Sequence, residues 1–486
     1  MKLRSPQSAP VRLILIAVLP AIVALSVGHA AAQCPFDGPS CRDTACDCGA
    51  CDECGSADRA GDATSGCDDA ATGCDDAKSG CGAAAAASPA PVYDGCLCCR
   101  PVLTGDWCGY RDCMAECGIT FDFDNVYVYQ GVTSGGLDQD WEFGGHGDYV
   151  VNVDFGKLCG KEGLFLKLRA EHQFGNTVNR DTGALLPVAL QLELPPGTED
   201  VALTNVLFTQ ALSEDFAVFA GKLDTLDGDA NAFAHGRGKT QFMNLGFSVN
   251  PLLIGTLPVY STLGAGFVML HEGQPLFTYT VLNPTDTSTT SGFDVLFEEG
   301  VAMSAELRLP IEFYGLPGHQ TFGVVWNSKT FTALGQDPRI LIPGGVVPIA
   351  PVDGSWALYW NCDQYLATYN CDGTKGWGVF ARAAVSDGNP NPIERFYSVG
   401  VGGDSPLAGR QNDRFGVGWY NVQASDELGV LATNLLNIGD GRGVELFYNI
   451  EVTPWFHLTP DLQIISPGRR NVDTAVVVGF RGEVDF

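Results

Sequence analysis

Val444-Glu445-Leu446-Phe447-Tyr448-Asn449-Ile450-Glu451-Val452 sets apolar side chains at 444, 446, 448, 450 and 452 against Glu445, Asn449 and Glu451. Successive side chains of an extended chain point to opposite faces, so this stretch reads as a strand with one greasy and one polar face. The same period returns on either side of it. At the end of the chain Val476, Val478, Phe480, Val484 and Phe486 oppose Arg481, Glu483 and Asp485. Earlier, Leu164, Leu166, Leu168 and Ala170 oppose Lys167, Arg169, Glu171 and Gln173, and Val301 to Leu309 opposes Ser304, Glu306 and Arg308. Ile119, Phe121, Phe123, Tyr127 and Tyr129 alternate with Thr120, Asp122, Asp124 and Gln130. Runs of this kind amount to about sixteen to eighteen candidate strands of membrane-spanning length. Composition agrees with a β-rich chain: 60 of 486 residues are Gly and only 17% are charged.

Alternation fits a soluble sandwich with its apolar face inside, or a membrane barrel with that face turned to lipid and a wet lumen behind it. Several features favour the barrel. The chain carries an export signal, its strands are many and have no helical layer between them, and Trp419, Tyr420, Tyr448, Trp455 and Phe456 crowd near strand ends as an interfacial girdle would. The sequence closes on Phe486 within an alternating strand. The expected architecture is all-β: a transmembrane antiparallel β-barrel of about 16 strands, preceded by a short helix and a disordered Cys-rich segment.

Residues 1–32 read as a signal peptide: Lys2, Arg4 and Arg12 precede the apolar run Leu13 to Val27, and Ala30-Ala31-Ala32 offers a cleavage site. Residues 33–103 form a Cys-rich, acidic, low-complexity segment and linker, and 104–486 the outer-membrane barrel domain. Fifteen of the 18 cysteines lie between Cys34 and Cys117. Four of them, Cys46, Cys48, Cys51 and Cys54, have spacings that zinc could use, but an exported chain oxidises its thiols. The disulfide candidates are therefore Cys34, Cys41, Cys46, Cys48, Cys51, Cys54, Cys67, Cys74, Cys81, Cys96, Cys98, Cys99, Cys108, Cys113 and Cys117. A short helix closed by Gly118 is expected after Gly105, with Trp107, Tyr110, Met114 and Cys117 on one docking face.

With 28 Lys+Arg against 57 Asp+Glu and a net charge of −29, the chain lacks the basic clusters that nucleic acid requires. No catalytic motif is present. His271-Glu272 lacks a second His, there is no G-x-S-x-G, and Asp227, Asp229 and Asn231 start an EF-hand-like loop in which Ala232 replaces the needed Gly. No enzyme activity, cofactor or metal site is expected. If the polar faces line a lumen, the residues placed to meet a solute are Lys167, Arg169, Glu171, Glu306, Arg308, Arg382, Glu445, Glu451, Arg481 and Glu483, with Arg169 and Glu171 foremost. The plainer reading is that most of these are solvated charges forming ladders with their neighbours.

Gly105-Asp106-Trp107, Gly109, Arg111 and Glu116-Cys117-Gly118-Ile119-Thr120 resemble the N-terminal signature of the carbohydrate-selective porins of the OprB family. Similar in the same way are Phe219-Ala220-Gly221-Lys222 with Asp224, Asp413 to Gly418, Glu445-Leu446-Phe447-Tyr448, Thr453-Pro454-Trp455, Pro460 to Gln463, Pro467-Gly468 and Gly479 to Phe486. The resemblance covers most of 104–486. It implies a sixteen-stranded barrel, monomer or homotrimer, that lets small saccharides diffuse across the outer membrane with its N-terminus in the periplasm. The Cys-rich extension and Cys108, Cys113 and Cys117 depart from the family pattern. They motivate an alternative expectation, an envelope structural or anchoring protein crosslinked through its tail to envelope or wall proteins.

Overall fold

The computed structural model describes residues 93–341, 347–370, 374–435 and 437–486. The expected signal peptide and the cysteines from Cys34 to Cys81 lie outside the described residues. The chain divides into two units, up to Cys117 and from Gly118 onward.

In the first unit a short helix spans Tyr110–Glu116, and Gly118 takes the positive φ of 93° that follows such a helix end. The expected apolar stripe is not one face. Tyr110 is exposed, Trp107 precedes the helix in a left-handed conformation, and the buried side chains are Arg111, Met114 and Ala115. Arg111 lies 4.2 Å from the Tyr93 ring centroid and 5.0 Å from that of Trp107, which gives its buried cation two aromatic faces. Cys108 and Cys113 are in disulfides, whereas Cys98, expected in one, is an exposed free thiol.

The second unit is a closed barrel of sixteen antiparallel strands. In chain order these are β1 (Ile119–Gly136), β2 (Trp141–Asp154), β3 (Leu164–Gly175), β4 (Ala202–Ser213), β5 (Phe216–Asp224), β6 (Ser261–His271), β7 (Gln274–Leu282) and β8 (Ala302–Phe313). They continue with β9 (Leu316–Thr332), β10 (Pro351–Thr368), β11 (Gly376–Ser386), β12 (Ile393–Asp404), β13 (Arg414–Ala424), β14 (Gly441–Thr453), β15 (Phe456–Ser466) and β16 (Asp473–Asp485). Each strand pairs with its neighbours in sequence, and β16 closes on β1 with Tyr127 opposite Gly482. No edge is left unpaired.

The two ends differ. At one, tight hairpins join β6 to β7 and β8 to β9 through Glu272-Gly273 and Tyr314-Gly315, whose φ values are all positive, between 51° and 76°. Such turns match the twist of the flanking strands, and Gly enters this region without the clash that a Cβ brings. The long connections, residues 176–201, 225–260 and 283–301 among them, are at the other end.

The alternation resolves in favour of the barrel. Leu446 is 47% exposed and Phe480 50%, whereas Glu445 and Arg481 between them are wholly buried. Trp326, Leu358, Val399, Val417 and Trp419 also point outward. Apolar stripes on the outside and ionic side chains within suit a wall facing hydrocarbon. Tyr420, expected in the aromatic girdle, is a correction: it faces inward and is buried against Phe247.

Candidate functional site

Residues 225–260, between β5 and β6, fold into the barrel. The sequence supplies an Asp or Asn at each bend, and short side chains of this kind cap the backbone locally. Asp224 accepts from the Leu226 amide (2.9 Å) and Asn231 from those of Phe233 (2.9 Å) and Ala234 (3.1 Å). Asn244 and Asn250 open the short helices Leu245–Ser248 and Pro251–Thr256, the second with Pro in its first turn.

Against β10 to β14 this inner loop is dry. Phe242 and Phe247, with ring centroids 4.5 Å apart, pack on Phe380, Tyr420 and Phe447. Phe233, Leu245, Leu252, Tyr359 and Phe396 belong to the same buried cluster. The approach is close: a Cβ on Gly418 of β13 would sit 2.5 Å from the Phe247 ring. The connection 176–201 also turns inward, and its Ala189 and Leu192 meet Met243, Val126 and Val128.

A loop buried in a barrel must have its peptide groups satisfied. Strand side chains perform that task. Arg382 donates to the carbonyls of Phe247 (2.8 Å), Ala234 (2.6 Å) and Asp229 (3.1 Å), and to the Asp229 carboxylate (2.8 Å). Glu445 accepts from the Met243 (2.6 Å) and Asn244 (2.9 Å) amides. Arg481 donates to the carbonyls of Gly238 (2.8 Å) and Gln241 (2.7 Å), and Glu306 accepts from the Asp229 amide (3.0 Å) and the Tyr359 hydroxyl (2.6 Å). These four face inward as the alternation requires, but they hold the loop.

Against β1 to β5 the loop is ionic. Lys239 bridges Asp124 (2.6 Å) and Asp148 (2.7 Å). Arg237 meets Asp224, Asp227 (3.2 Å) and Glu171 (3.3 Å), while Arg169 meets Asp148 (3.2 Å), Asp224 (2.8 Å) and Asp227 (3.3 Å). Desolvation works to raise the Asp227 carboxyl, yet Arg237, Lys167 and Arg169 together hold it well below the usual carboxylate range. Burial likewise opposes the charge on Lys239, but Asp124 and Asp148 raise its pKa above the ordinary lysine value. The EF-hand-like start is thus an arginine-bound turn: Asp227 and Asp229 serve Arg237 and Arg382, and Asn231 donates to Asn361 (2.7 Å).

The side chains picked out by sequence therefore have different surroundings. Glu171 is fully buried between Tyr260, Thr204 and Arg237, and Arg169 is nearly so. Lys167 remains 31% exposed and its partner Asp227, at 2.8 Å, 41% exposed. Arg308 lies 3.9 Å from Asp363, which also meets His319 at 2.8 Å. Glu451 accepts from Asn412 at 2.9 Å, and Glu483 is buried near the short-turn end. Sequence reading missed Arg237 and Lys239, although Arg237 stands between two glycines and Lys239 follows the second in His235-Gly236-Arg237-Gly238-Lys239. His146, Asp148 and Glu171 bring metal-ligand atoms within 4.8 Å of one another, but the carboxylates already carry Arg169, Lys239 and Arg237 as counter-ions.

A closed sixteen-stranded barrel with an apolar outer wall, an ionic interior and a loop folded into its lumen defines an outer-membrane porin. Residues 139–486 match the family described as "Carbohydrate-selective porin, OprB family", and the chain belongs to that family. It is 24% identical over 230 residues to Porin B of Pseudomonas aeruginosa, a match that spans 42% of this chain and 50% of that relative's length. The high pH structure of Pseudomonas putida OprB has the same fold, with a TM-score of 0.69 at 22% identity over 79% of this chain and 98% of that one.

Proposed function

We propose that the barrel is a passive diffusion channel that prefers small saccharides, and that its short-turn end faces the periplasm. The observation that carries this reading is the exposed pair of Lys167 on β3 and Asp227 on the loop, beside Arg169, where Glu171, Arg382, Glu445 and Arg481 are buried. Sugars are neutral polyols. A carboxylate that accepts and an ammonium and guanidinium that donate can hold adjacent hydroxyls by charge-assisted hydrogen bonds. The same pairing keeps binding weak, because a passing sugar must compete with an existing ion pair, and a channel needs weak sites. Arg308 with Asp363 and His319 offers a second polar step.

The test is single-channel conductance of the purified barrel in planar bilayers. The reading expects a conductance that monosaccharides or short oligosaccharides partly block, and a block that weakens in Asp227→Asn. A conductance untouched by sugars would remove the saccharide preference, and a barrel that conducts nothing would remove the channel.

A further inference from the structure

Where β10 and β12 end at the short-turn mouth, a recess opens beside the inner loop, lined by Phe233 of that loop and by Tyr365, Gly376, Gly403, Asp404 and Arg414 of the wall. Bare backbone keeps it open. A Cβ on Gly403 would sit 2.4 Å from the Gly376 carbonyl oxygen, so β11 and β12 raise no side chain at these two positions between Tyr365 on β10 and Arg414 on β13. The Tyr365 ring centroid lies 4.7 Å from that of Phe233, and its hydroxyl donates to the Thr374 carbonyl over a long 3.4 Å. Asp404 accepts from the Gly376 amide at 2.7 Å and stands 3.5 Å from Nε of Arg414. That one contact leaves most of the guanidinium unspent. The Arg414 side chain is 44% exposed and makes no hydrogen bond among the described residues. The charges of Asp404, Asp363 and Arg414 all reach the Tyr365 phenol. Since β11 lies half the sixteen-strand ring from β3, the recess is on the wall opposite Lys167 and Arg169.

We infer that this recess is a second saccharide station, at the short-turn mouth, in which the Tyr365 ring takes the C–H face of a pyranose while Arg414 and Asp404 hold its hydroxyl edge. A sugar ring has one apolar face and a rim of hydroxyls, and Tyr offers the matching combination of an apolar body with a wet tip. The planar guanidinium presents several N–H donors in one fork, and a carboxylate accepts from the neighbouring hydroxyl. Arg414 can donate to a solute without giving up a hydrogen bond, whereas at Lys167 and Asp227 a sugar must compete with a closed pair. One cation beside one carboxylate suits a neutral polyol, and Asp363 nearby disfavours a sugar acid. The inference rests on the channel reading above and adds a place where the solute pauses.

Sugar block of the full chain in planar bilayers tests it, read as the fraction of current lost against the concentration of glucose or maltotriose. Arg414→Gln and Tyr365→Ala should each raise the half-blocking concentration by about threefold or more, and Tyr365→Phe, which keeps the ring, should leave it within about twofold. Combined with Asp227→Asn, Arg414→Gln should weaken block further, because distant stations contribute independently. Block unchanged by Arg414→Gln, or abolished by Asp227→Asn alone, overturns the second station and leaves the saccharide channel standing; a wild type that sugars do not block overturns both. Tyr365→Phe as weak as Tyr365→Ala overturns the stacked ring. Should Tyr365→Ala fail to fold, Arg414→Gln, at an exposed side chain, still decides.

Discussion

Along β10 to β14 the inner loop rests on Phe380, Tyr420 and Phe447, and along β1 to β5 the same loop rests on Asp124, Asp148 and Asp224. The dry seam holds by area and shape, which neither salt nor moderate pH alters. The ionic seam holds by charge, and its rim at Lys167 and Asp227 meets water. The first seam fixes where the loop sits. The second sets how firmly its free side is held and what a solute meets there.

The comparison can be broken most forcefully at Phe247, which is fully buried. Phe247→Ala should cost about 3–5 kcal/mol of stability in detergent denaturation, because the aromatic contacts and the cavity both count. A loss below about 1 kcal/mol would mean that the dry seam is not the anchor. Lys239→Met should cost less, about 1–3 kcal/mol, by leaving Asp124 and Asp148 face to face. Its signature would be a noisier open channel with an intact barrel, and quiet conductance would argue against the ionic seam.

The pH dependence sharpens the contrast. The depressed Asp227 carboxyl contributes stability that is present above its unfolded value of about 3.9 and is lost as pH falls through its lower folded value. The raised Lys239 contributes below its unfolded value of about 10.4 and is lost as pH rises through its higher folded value. Channel recordings should therefore show loop flicker from the loss of these two charges below about pH 4 and above about pH 10, while far-ultraviolet circular dichroism remains that of the barrel. Recordings as quiet below about pH 4 and above about pH 10 as at neutral pH would contradict the assignment. The smallest stability effect belongs to Asp227→Asn, at most about 1 kcal/mol for so exposed a pair, although sugar block should fall measurably.

The barrel was legible because strands such as 444–452 expose apolar and polar side chains alternately, and Leu446 and Glu445 lie outside and inside accordingly. The candidates on those polar faces do point inward. The inner loop was not legible. Its Phe233, Phe242 and Phe247 follow no period, and the strands they cover, β11 to β14, turn Phe380, Phe396, Tyr420 and Phe447 inward. Apolar side chains on both faces erase the alternation, which is why Tyr420 reads as a girdle residue. For the same reason Arg382, Glu445 and Arg481 read as solute contacts: nothing in a strand pattern announces that a distant stretch will present its peptide groups to them.

The carboxylates Asp124, Asp148, Asp224 and Glu171 belong to the strands of the cylinder, whereas the lysine and arginine that face them ride on the single connection 225–260. A channel built this way keeps its lock in the walls and its key in one connection. New selectivities can then arise by replacing that single connection, with the strands left as they are, and grafting the insert of one such protein into the wall of another becomes a rational way to retune what passes.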